Sequence, residues 1–68
     1  MSQHAFTPQE TAKVVAVCVA HGYDFKRLAK VQLFPHLCRA FVDGKDTEQS
    51  FVANLNKINI FNGGSLKL

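Results

Sequence analysis

This 68-residue chain predicts a mainly α fold, a small bundle of four short helices closed by a C-terminal β-hairpin. Three observations lead there. Residues suited to cap a helix (Thr7, Asp24 and the pair Asp46-Thr47) stand just ahead of stretches with apolar faces. Helix-stopping glycines follow at Gly22 and Gly44. Past residue 57 apolar and polar residues alternate on both sides of Asn62-Gly63-Gly64.

The first helix, over 7–22, has the clearest start. Thr7 can accept from the backbone N–H three residues on, Glu10 can reach back to close a capping box, and Pro8 takes the first helical position, where its missing donor costs nothing. Residues 14–20 are β-branched enough to suit a strand, and the capping signals decide for helix. A helix apolar on every face has to be covered on more than one side, so Val14, Val15, Val17 and Val19 are candidates for a partner or dimer interface. Asp24 caps a second helix from Phe25 to about Gln32, with Tyr23 and Leu28 as a hydrophobic staple. Pro35 disfavours helical geometry at Phe34, so a third helix runs from Pro35 to about Val42 and ends at Asp43-Gly44. A fourth, over 46–57, shows an apolar face of Phe51, Val52 and Leu55. Over 58–68, a three-residue loop Asn62-Gly63-Gly64 pairs Ile60 with Leu66 and Ile58 with Leu68, leaving Phe61 outward as a docking point for another copy. A frayed tail is the rival reading of this segment.

Length allows one domain with a small core, and the 47% apolar fraction is that of a globular protein. Two cysteines, Cys18 and Cys38, with no leader pattern ahead of them, are expected to be reduced in a cytoplasmic protein. The longest apolar run, residues 14–20, is too short to cross a bilayer, so no membrane partner is expected. The net charge is +3, and its placement is uneven. Lys26, Arg27, Lys30, Arg39 and Lys45 face only Asp24 and Asp43, whereas the remaining charges balance. That footprint suits an anionic partner, and it is also the composition of an ordinary solvated face.

The same central stretch carries a likeness. His21-Gly22-Tyr23, Phe25, Leu28-Ala29-Lys30, Leu37, Arg39, Phe41 and Gly44-Lys45 together resemble the helix-turn-helix class of the Cro and phage-repressor type over roughly residues 12 to 57. The stretch departs from that class in having Gln32-Leu33 where a turn glycine is usual and Pro35 at the start of the recognition helix. The resemblance implies a helix-turn-helix-like domain at 24–45 acting as a dimeric DNA-binding transcriptional regulator. It places His36, Arg39, Ala40 and Asp43 on the base-reading face and Leu37, Cys38 and Phe41 toward the core. Arg39 would pair with guanine, His36 would touch a base or phosphate, and Lys26, Arg27, Lys30 and Lys45 would hold the backbone.

Other chemistry finds less support. Cys18-x-x-His21 and His36-x-Cys38 supply four soft ligands, but residues two apart on a helix point to nearly opposite sides, so no metal is expected and the thiols serve as small hydrophobes. No paired carboxylates, phosphate loop or nucleophile elbow is present, which argues against an enzyme and calls for no cofactor. The alternative to DNA binding is a small helical protein-interaction module, an anti-repressor, antitoxin or inhibitor, that holds a larger protein through apolar helices. Salt separates the two, because phosphate contacts release counterions and an apolar interface does not.

Overall fold

A computed structural model describes residues 6–68 and contains four α-helices: α1 (Pro8–Ala20), α2 (Phe25–Leu28), α3 (Phe34–Val42) and α4 (Glu48–Phe61). α1 begins as its sequence dictates. The Glu10 N–H donates to Thr7 Oγ1 at 3.1 Å and the Thr7 N–H donates to Glu10 Oε1 at 3.0 Å, so both halves of the capping box form. The helix ends on a left-handed Gly22 at φ 79°, with the Tyr23 N–H donating back to the Cys18 carbonyl and the Gly22 N–H to that of Val19. This is a Schellman motif, and it turns the chain sharply into α2.

α1 buries one stripe, Val14 and Cys18, with Val17 packed beside it; Ala16, Val19 and Ala20 stay exposed. The double-sided burial expected of residues 14–20 is therefore not met within the chain.

α2 is a single turn rather than the two expected. Asp24 caps it through the Lys26 N–H at 3.0 Å. Tyr23 and Leu28, the expected staple, are both buried. Beyond Leu28 the N–H groups of Lys30 and Val31 turn to carbonyls three residues back, which tightens the path and ends the α geometry. α3 starts at Phe34, one residue before the expected position. Pro35 sits inside the first turn, where no intrahelical donor is required of it, so it opens the helix rather than breaking the chain at Phe34.

α4 begins with the Ser50 N–H on Thr47 Oγ1 at 3.0 Å. It does not fade at residue 57: the buried spacing Phe51, Leu55, Ile58 keeps the helical period and carries the helix on to Phe61. The predicted hairpin over 58–68 is thereby replaced. Residues 58–61 are the last turn of α4, and Asn62-Gly63-Gly64 is its stop, with the Gly64 N–H on the Asn59 carbonyl at 2.8 Å, the Gly63 N–H on that of Ile60, and Gly63 at φ 68°. Ile60 does not pair with Leu66. Ile58 and Leu66 are buried, whereas Ile60 and Leu68 point outward.

The chain then folds back. The Leu66 N–H donates to Asn59 Oδ1 at 3.0 Å, which satisfies the one buried polar side chain among the described residues. An antiparallel bridge joins Tyr23 and Lys67, with the Asp24 N–H on the Leu66 carbonyl and the Leu68 N–H on that of Gly22, both at 2.8 Å. Leu66 enters a core in which Phe41 stacks on Phe51 at 4.6 Å between ring centres and Phe34 lies against Phe51 at 6.5 Å. No helix among the described residues is long and apolar enough to cross a membrane.

Candidate functional site

The return of the C-terminal segment rearranges the charge. Lys26 and Arg27 are exposed on α2 and Lys30 follows it in the turn. The Arg27 guanidinium donates to the Ser65 carbonyl at 2.9 Å and lies 3.4 Å from Asp24. Lys67 Nζ donates to the His21 carbonyl at 3.0 Å and sits 4.3 Å over the Tyr23 ring. One corner of the molecule, built from residues 21–30 and 65–67, thus holds Lys26, Arg27, Lys30 and Lys67 against Asp24, with Glu48 at its edge beside His21. Four cations against these two acids leave the corner at +2 of the chain's net +3. Beside this corner a shallow groove is lined by Arg27, Lys30, Gln32, Asn62 and Ser65, among others. Gln32 also reaches a second hollow shared with Leu33 and His36, at the start of α3.

Arg39 lies elsewhere. Its guanidinium bonds both oxygens of Asp43, at 3.0 and 3.2 Å, and Glu10 Oε2 at 2.9 Å, and it stacks 4.9 Å from the Phe6 ring. Hydrogen bonds it donates to Asp43 first, and then to Glu10, raise its pKa further above the ordinary arginine value. One guanidinium held by two carboxylates leaves that spot net negative. A guanine contact by Arg39 would compete with these carboxylates for its donors. On the remainder of the expected reading face His36 and Asp43 are exposed and Ala40 is half-buried, while Cys38 and Phe41 are buried and Leu37 packs against the core. Lys45 is exposed beyond the far end of α3 from His36.

Comparison of the chain with protein-family models, curated proteins and solved structures finds no match.

The proposed interface residues also divide. Val14 is spent in the chain's own core, Val15 and Val17 are half-buried, Val19 is 52% exposed, and Phe61 is 90% exposed. Cys18 and Cys38 are buried free thiols. Burial pushes Cys18 up to about 11, and burial with the neighbouring Cys18 pushes Cys38 up to about 12, so both stay protonated and poorly nucleophilic at neutral pH. His21 turns away from them toward Glu48, at 3.7 Å. Among the described residues no group of three or more His, Cys, Asp or Glu is placed to hold a metal.

Sequence reasoning missed Lys67, Asn62 and Ser65 as members of the basic corner. The signal was present in the adjacent glycines, which stop α4 and send the tail back instead of forming a hairpin turn.

Proposed function

We propose that this chain is a small DNA-binding regulator that holds the phosphate backbone through Lys26, Arg27, Lys30 and Lys67. The observation that supports it is the gathering of Lys26, Arg27, Lys30 and Lys67 at one corner, beside a groove whose lining includes the exposed Gln32 amide. Affinity then comes from counterion release and falls steeply with salt, with a log–log slope of about −3 for three to four phosphate contacts. Arg39, engaged with Glu10 and Asp43, contributes to the fold rather than to base reading. Sequence preference falls to His36 and Gln32 at the start of α3.

Fluorescence anisotropy with a labelled duplex across a salt series tests this. Wild type is expected to bind at low salt with the slope above, and the double reversal Lys26→Glu, Lys30→Glu to abolish binding. No binding by wild type at low salt, or a slope near zero, rejects the reading. The exposed pair Ile60 (68%) and Phe61 (90%) favours the second reading, a protein-interaction module that keeps its partner at high salt and after nuclease treatment.

A further inference from the structure

We infer that copies of this protein associate head to tail, with Phe61 of one copy inserted into an apolar pocket on the next. The pocket lies between α1, α2 and α3, has a volume of about 170 Å³, and is walled by Phe6, Val14, Phe25, Ala29, Phe34 and Cys38, among others. Phe25 and Phe34 meet edge to face at 5.8 Å and form a rigid aromatic side to it. A cavity of about 150 Å³ with such a lining accepts a benzene ring, the size of a phenylalanine side chain. None of the residues lining it comes from α4.

The complementary knob is on α4. Phe61 is 90% exposed in the last turn, where the Schellman stop at Gly63 holds the helix end in place, and Ile60 beside it is 68% exposed. Charge selects the partner. Lys57 is exposed one helical turn before Phe61. At the pocket the Phe6 ring lies under Arg39, whose two carboxylate partners, Glu10 and Asp43, make that rim net negative. Seating Phe61 with Lys57 directed to this rim, away from Lys26 and Lys30 beside the α2 wall, lets knob and socket of identical chains match in both shape and sign. The contact joins two different surfaces, so a head-to-tail insertion leaves a free knob at one end and a free socket at the other and propagates into chains or rings. It does not depend on DNA binding.

Sedimentation velocity on the full chain tests the inference. Wild type is expected to form assemblies larger than dimers as concentration rises. Phe61→Ala, which removes the knob, and Ala29→Leu, which fills the socket from an exposed position, each lower the association constant by at least about tenfold. Far-UV circular dichroism confirms that both remain folded. An equimolar mixture of the two variants has one good knob and one good socket, and is expected to give a one-to-one complex and nothing longer. A wild-type protein that stays monomeric at high concentration overturns the proposal. So does Phe61→Ala that associates like wild type. Loss of assembly in Phe61→Ala with none in Ala29→Leu overturns the pocket as the receiver.

Discussion

Arg39 Nη2 donates to Glu10 Oε2 at 2.9 Å, tying the middle of α3 to the first turn of α1 across 29 positions of sequence. The other oxygen of the same carboxylate accepts the Thr7 N–H of the capping box. One side chain therefore closes a helix end and a tertiary contact together.

Those contacts set a pH dependence. The Thr7 backbone N–H first, and Arg39 after it, hold the Glu10 carboxyl below its ordinary value of 4.5. A carboxylate whose pKa is depressed by folding stabilises the native state above its unfolded pKa, and this is lost as pH falls through the folded value. Melting temperature is expected to drop on acidification below about pH 4.5. Glu10→Gln should flatten that portion of the profile, as thermal melts from pH 3 to 7 will show. An unchanged profile in the variant contradicts the assignment.

Under the proposed function, Arg39 and Lys30 should separate cleanly in DNA binding. Lys30→Ala removes an exposed cation from the basic corner and is expected to reduce the salt slope by about 1. Arg39→Ala removes a charge already matched by two acids, so the slope should hold while the melting temperature falls. The reverse pattern, with Arg39→Ala changing base preference and Lys30→Ala silent, would restore the base-reading role suggested by the helix-turn-helix resemblance.

The legible parts of this fold are those governed by neighbours in sequence. Thr7, Asp24 and Thr47 cap helices because their acceptors are two or three residues from the donors they serve, and Gly22 and Gly44 end helices for equally local reasons. The C-terminus misled because residues 58–68 satisfy two periods at once. Ile58, Ile60, Leu66 and Leu68 alternate as a strand would, while Phe51, Leu55 and Ile58 continue a helix, and only the core decides between them. The site suffered from the same limit. The ion pair of Arg39 with Asp43 is visible at i, i+4, but Glu10 reaches it only through the packing of α1 on α3, and Lys67 joins the basic corner only after the tail has folded back.

The thiols report on the core. With Cys18 and Cys38 buried and pushed up to about 11 and 12, neither should react with iodoacetamide in the native protein at pH 7.5, and both should react in denaturant. Raised thiol values favour the folded state below the unfolded value of 9.0 and cease to do so as pH climbs through the folded ones. Stability should therefore decline above about pH 9. Mass spectrometry of alkylated native protein checks the first point, and rapid native labelling at either cysteine would refute it.

The returning tail should be a structural necessity. Leu66 is 4% exposed within the core, and its N–H is held by the buried Asn59 side chain. Leu66→Ala removes buried methyl groups and leaves a cavity, so a loss of about 2–5 kcal/mol is expected. That is a large part of the stability of a domain this small. Asn59→Ala strands the Leu66 donor and should cost about 1–3 kcal/mol. Gly63→Ala probes the turn separately: a Cβ there meets nothing within 4 Å, so its cost is the left-handed backbone alone, about 1–2 kcal/mol. A hairpin with a frayed end would give a different order. Exposed Leu68→Ala would then matter as much as Leu66→Ala, and Asn59→Ala would be nearly silent. Urea denaturation of the four variants distinguishes the two. With the tail folded onto residues 22–24, Leu66→Ala is the most damaging, Asn59→Ala and Gly63→Ala are intermediate, and Leu68→Ala, at a side chain 78% exposed, stays close to wild type.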